Sequence, residues 1–169
     1  MKIFFFCLLL SIAFVFPANI YADYVMPYPG AMPGNKLYNM YEIADAIRGW
    51  WSFGNLTQHT YHQAIADKKL IEAKTLFEYK QYLLASEALF AYKTHIVLAK
   101  NALLAAAKEG KDISQKKKRF QEALLVHKSI LEKLKNELPK EFLWQPEKDA
   151  PQMLQIHNIL DETITKDDE

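Results

Sequence analysis

The sequence predicts an all-α fold: an antiparallel bundle of four main helices plus a short C-terminal helix, preceded by an extended Pro-rich strap. Three observations carry that expectation. Apolar residues recur at spacings of three and four along most of the chain, which is the period of an amphipathic helix. No segment sustains the apolar–polar alternation of a half-buried strand, so strands are not expected. Gly54, Gly110 and Pro139 fall where periodic stretches end, as helix stops require.

The chain opens on Lys2 and an uncharged, almost wholly apolar run from Ile3 to Phe16, broken by Pro17. A bilayer-spanning helix needs about 20 apolar residues, and this run stops short of that. Residues 1–22 therefore read as a cleavable signal peptide, cut after Ala22, and the mature protein is expected to be extracytoplasmic, secreted or envelope-associated. The alternative is a signal retained as an anchor. Cys7 lies inside the apolar run and leaves with it, so no disulfide or thiolate metal site is expected in the mature chain. Loss of Lys2 from 21 basic residues leaves 20 against 20 acidic ones. That neutrality argues against a nucleic-acid partner, which would demand clustered excess positive charge.

Residues 23–35 hold three prolines and two glycines and cannot be helical. Tyr24, Val25, Met26, Tyr28 and Met32 give this strap the apolar weight that a floppy linker lacks, with Tyr28 and Met32 expected to fill grooves on the bundle. A single helical domain is expected over residues 36–165. Its first helix, about Lys36 to Ser52, carries the stripe Leu37, Met40, Ala44, Ile47 and Trp51, expected to face the core; Asn55 is placed to cap the next helix. The second, about Leu56 to Tyr79, has its clearest face at Ala66, Leu70, Ala73 and Phe77, with His62 one turn earlier. The third, about Tyr82 to Lys108, is lined by Ala85, Ala88, Tyr92, Ile96, Ala99, Leu103 and Ala106. The fourth begins near Asp112 or Ser114 and carries a coiled-coil-like seam of Phe120, Leu124, His127, Leu131, Leu134 and Leu138. A connection over 139–150 leads to a short fifth helix starting at Pro151, with Met153, Ile156, Leu160 and Ile164 on its face. The acidic end, residues 166–169, is expected to fray because carboxylates oppose the helix dipole there.

Three stretches carry a resemblance. Tyr24-Val-Met-Pro-Tyr-Pro-Gly-Ala-Met-Pro-Gly-Asn-Lys-Leu-Tyr38, His62-Gln-Ala-Ile-Ala-Asp-Lys-Lys-Leu-Ile-Glu-Ala73 and, more weakly, Ala123-Leu-Leu-Val-His-Lys-Ser-Ile-Leu-Glu132 are similar to segments of a bacterial exported domain-of-unknown-function family. In that family a signal peptide leads to a Pro-Tyr-Pro-Gly strap and a Leu-Tyr helix start, followed later by an Ala-Asp-Lys-Arg-Leu helix. The chain departs from the pattern at Met26, where Leu is usual, and at Asn55-Leu56, where Asp-Pro is frequent. The resemblance implies an exported helical protein and attaches no activity to it.

Candidate functional residues are few. No nucleophile elbow surrounds any serine, and no glycine-rich phosphate loop or zincin-type His-Glu-x-x-His occurs. Catalytic residues and cofactors are therefore not expected. His62 and His127 fall on core seams of different helices and are the candidates for a metal or small-ligand site, against the plainer reading as hydrogen-bonded core histidines. Tyr28 and Pro29 on the strap and Trp50 and Trp51 at the end of the first helix are the candidates for partner binding. Trp50 and Trp51 are also the place where the mature chain would touch a membrane, although Trp51 continues the core stripe and Trp50 is expected to plug the bundle's end. The run Lys116 to Arg119 reads as a solvated face. These features together predict a non-enzymatic structural or protein-interaction module of the bacterial cell envelope or surface; the alternative is a ligand- or metal-binding bundle using interior histidines.

Overall fold

The computed structural model describes residues 24–146, 148 and 150–168; the expected signal peptide, Cys7 and the cut after Ala22 lie outside them. Among the described residues there are five helices, α1 (Tyr38–Trp50), α2 (Asn55–Glu78), α3 (Tyr82–Lys108), α4 (Ser114–Glu137) and α5 (Ile156–Asp168). The residues before α1 form the extended strap. No helix among those described is long and apolar enough to cross a membrane.

The centre of the molecule is the α2–α3 hairpin. Every residue of the apolar face expected on α3 is buried, as are Ala66, Leu70, Ala73 and Phe77 on α2. The many alanines let the two helices lie close, so Leu70, Leu76, Leu89 and Tyr92 are fully enclosed. α4 packs on α2 and buries Phe120, Ala123, His127, Leu131 and Leu134, and α5 packs against α3 and α4 with Ile156 and Leu160 buried.

Two helix ends use the same hydrogen-bond pattern with different residues. At the end of α3, Gly110 N–H donates to Ala107 O and Lys111 N–H to Ala106 O, with Gly110 at φ +75°. At the end of α2, Lys80 N–H donates to Phe77 O and Gln81 N–H to Leu76 O, with Lys80 at φ +59°. Both are Schellman caps that require a left-handed residue, and only the first supplies a glycine.

Four expectations are corrected. Two short strands, β1 (Phe142–Trp144) and β2 (Gln152–Leu154), pair antiparallel with Phe142 opposite Leu154 and Trp144 opposite Gln152. Three residues are too few to display a period of two, which is why the hairpin was invisible in the sequence. α5 consequently starts at Ile156 rather than Pro151, and Met153 belongs to a strand and is exposed. The N-cap of α2 is Gly54, at φ +83°, and Asn55 instead turns its amide to the Glu109 carboxylate. Helical backbone of α5 runs through Asp168.

The fourth correction concerns α1, which buries no residue. Its expected core stripe points away from the bundle: Leu37, Met40, Ile47 and Trp51 are all exposed. The physical reason lies in the surface of α2 that α1 meets, which is charged.

Candidate functional site

α1 docks through its polar side. Tyr38, Glu42, Asp45, Gly49 and Ser52 are its less exposed positions, spaced four, three, four and three. Lys68 on α2 donates to Glu42 at 3.0 Å and Asp45 at 2.6 Å. Lys69 reaches Glu42 at 3.2 Å, Glu72 at 3.1 Å and the Tyr38 hydroxyl at 2.9 Å, while that hydroxyl donates to Glu72 at 2.8 Å. Burial by itself would depress the Lys69 ammonium, but the Tyr38 and Glu72 oxygens outweigh it and hold the pKa well above the ordinary lysine value. The Glu42 carboxyl lies below its usual range: burial pushes it up, and the two lysines more than offset that. Gly49 allows close approach, since a Cβ there would fall 2.6 Å from the Tyr61 ring.

The consequence is an outward apolar face. Leu37, Met40, Ile43, Ile47, Trp50 and Trp51 are exposed together on one side of α1, with Phe53 just past its end. Trp50 and Trp51 are 81% and 70% exposed, so neither plugs the bundle nor enters its core. Tyr28 is 92% exposed and fills no groove, whereas Met32 does pack against the core and Pro29 is half-buried.

The strap is held by Tyr24 and the methionines Met26 and Met32. The Tyr24 hydroxyl donates to the Asp67 carboxylate and accepts from Gln63 Nε2 at 3.0 Å. Burial, reinforced by Asp67, pushes the Tyr24 hydroxyl pKa far up, so it stays a donor. Asp67 in turn accepts from His127 Nε2 at 2.9 Å, and His127 Nδ1 lies 3.1 Å from the Tyr92 hydroxyl. His127 is fully buried, and both ring nitrogens are engaged, which leaves no lone pair for a ligand. Sequence reasoning missed this network. Its members Tyr24, Asp67 and His127 nevertheless fall one in each of the three stretches that carried the resemblance.

His62 does not meet His127 in a shared site. It faces His95 across α2 and α3, with the two Nδ1 atoms 2.9 Å apart, so that one ring donates and the other accepts. Burial lowers both pKa values, and His62 and Lys69 help bring His95 to about 4. His59 donates from Nδ1 to Ala99 O at 3.0 Å, and its buried Nε2 has no partner among the described residues. Among the described residues no group of three or more His, Cys, Asp or Glu side chains is arranged to hold a metal ion.

Two clefts adjoin along α2. One of about 480 Å³ lies between the strap, α2 and α4 and is lined by Tyr24, Thr60, Ala64, Asp67, Lys116 and Arg119 among others. A second, of about 220 Å³, adjoins it at Thr60 and Ala64 and reaches Arg48 and Ser52 at the end of α1. Lys116 donates to Thr60 Oγ1 at 2.8 Å across the shared wall.

A family model described as a domain of unknown function (DUF5667) matches residues 30–141, and the chain belongs to that family. No curated protein sequence and no solved structure matches it.

Proposed function

We propose that this family member is a non-enzymatic helical interaction module that works outside the cytoplasm, in the bacterial cell envelope or at the cell surface, and reaches it through the N-terminal signal peptide. The observation that carries the reading is the outward apolar face of α1. A helix that spends its charged side on docking and leaves two tryptophans and two isoleucines in water displays a contact surface, because large exposed apolar patches mark interaction sites. His127 is sealed beneath Asp67 and Tyr92 with both ring nitrogens engaged, which favours a structural role.

A photoreactive side chain placed at Ile47 tests this in intact cells. Reproducible adducts with an envelope component, whether protein or lipid, are expected, on a chain whose N-terminus is Asp23. Recovery of the bare chain alone, or of a chain retaining Met1 in the cytoplasm, overturns the proposal.

A further inference from the structure

The geometry of α1 permits a narrower identification of what it contacts. At about 100° per residue, Tyr38, Glu42, Asp45, Gly49 and Ser52 cluster about the line that faces α2. Opposite them Leu37, Met40, Ile43, Ile47, Trp50 and Trp51 share an arc of roughly 140° in which every one is exposed. The charges within and beside this arc are of one sign. Lys36 stands at its N-terminal end and Arg48 on its flank, both exposed. The two acids of α1, Glu42 and Asp45, are turned inward and engaged by Lys68 and Lys69. Glu109, which meets the first residue of α2, is held by Lys111 and Asn55.

The cationic border extends beyond the helix. The two clefts that share Thr60 and Ala64 connect Arg48 to Lys116 and Arg119, so further exposed cations follow on from the Arg48 flank. An apolar stripe ending in paired tryptophans, flanked by Lys and Arg and free of outward acid, has the composition of a helix lying in a membrane interface. A thirteen-residue helix is too short to span a bilayer but long enough to lie in its surface plane. We infer that α1 seats the protein on a bilayer surface bearing anionic headgroups, with its apolar arc in the acyl boundary and Lys36 and Arg48 among the headgroups. This rests on the reading of α1 as an interaction surface and names its partner.

A second copy of the chain fits less well. Antiparallel pairing of two α1 faces would bring Lys36 of each copy toward the Arg48 end of the other, with no acid on either face to balance them.

The test uses the exported chain, its N-terminus read by mass spectrometry to show that the run Ile3 to Phe16 is gone. In a Trp144→Phe background, emission reports Trp50 and Trp51 alone. With phosphatidylglycerol-containing vesicles the protein is expected to co-sediment and its emission to shift to the blue, with weaker binding to phosphatidylcholine alone and a loss of binding as salt rises. The Ile43→Glu/Ile47→Glu double variant should lose about tenfold or more of the partitioning while its thermal melt is unchanged; Trp50→Ala/Trp51→Ala is the second probe should the first fold poorly. Absence of co-sedimentation at every lipid ratio overturns the inference, as does undiminished binding by both variants. A concentration-dependent dimer that the double variant abolishes, without vesicle binding, assigns the face to a second copy and also overturns it. In-cell crosslinking to an envelope protein with no vesicle binding would sink this inference while leaving the interaction-module reading intact.

Discussion

α1 and α3 carry apolar residues at the same helical period, yet they present opposite sides to the protein. α3 turns Ala85, Ala88, Tyr92, Ile96, Ala99, Leu103 and Ala106 into the core. α1 turns Tyr38, Glu42 and Asp45 inward and leaves Met40, Ile43, Ile47 and both tryptophans in solvent. The difference originates in α2, which has two usable sides. One offers Ala66, Leu70, Ala73 and Phe77, and apolar area is what α3 covers there. The other offers Lys68, Lys69 and Glu72, and burying isoleucine against those charges would strip them of water and leave them unpaired. Periodicity thus identifies a stripe, and the neighbouring surface decides whether the stripe goes in or out.

The sharpest way to break this comparison is to truncate one aliphatic side chain on each helix. Leu89→Ala on α3, at a fully buried site, is expected to cost about 2–5 kcal/mol of stability. Ile47→Ala on α1 is expected to stay within about 0.5 kcal/mol. Urea midpoints of the two variants decide the matter, and a loss at Ile47 approaching that at Leu89 would show α1's apolar face to be buried after all.

Next in size is the tie between strap and core. Asp67→Asn sets an amide NH2 in place of one carboxylate oxygen, so either Tyr24 or His127 loses its acceptor, which should cost about 1–3 kcal/mol. Limited proteolysis should then cleave within residues 24–35 faster than in the unaltered chain, with α2 and α3 still protected.

The histidine pair gives a pH dependence of definite sign. His95 in the folded protein titrates near 4 against an ordinary value of 6.5, so between those limits the unfolded chain binds more protons. Stability is fully present above about pH 6.5 and declines toward pH 4. Allowing for partial solvent screening, the loss is about 1–2 kcal/mol. His95→Gln should flatten that slope in pH-dependent denaturation; an unchanged slope would remove the pair as its source.

The ion pairs under α1 are exposed at their edges and contribute less. Glu42→Gln should weaken docking by about 0.2–1 kcal/mol. Because the Glu42 pKa is depressed, its contribution is present above the ordinary carboxylate range and is lost as pH falls below it. Amide exchange in α1 should quicken in the variant and in high salt while α3 remains protected. An equal response in both helices would mean that α1 is no independent unit. The smallest effect separates the two Schellman caps: Lys80→Gly should stabilise by about 0.5–1 kcal/mol, whereas Gly110→Ala should destabilise by a similar amount.

Much of the bundle was legible from residue spacing. The α3 limits and the stripe from Ala85 to Ala106 follow from apolar period and the stop at Gly110, though Tyr82 and Leu89 are buried beside that stripe, and the seam of α4 follows from residues 120 to 134. The candidate site was only partly legible. Trp50 and Trp51 were recognisable as an unusual cluster, but the stripe through Trp51 argued for the core. His62 and His127 stood out as seam histidines, while the partners that explain them, His95 in one case and Asp67 with Tyr92 in the other, lie 33 to 60 residues away. No local pattern links residues at such separations.

What the sequence by itself determined was therefore everything set by neighbours along the chain: helix identity, the width of each apolar stripe, the stops at glycine and proline, and the extended strap. Those depend on backbone hydrogen bonding and side-chain spacing within a few turns. What only the tertiary structure decided was orientation and partnership: which side of α1 meets water, which histidine faces which, and where a three-residue strand finds its mate. Those depend on the surface presented by a distant segment. For α1 that surface is the Lys68–Lys69 side of α2, and its charge holds the polar half of the helix and turns the tryptophans outward.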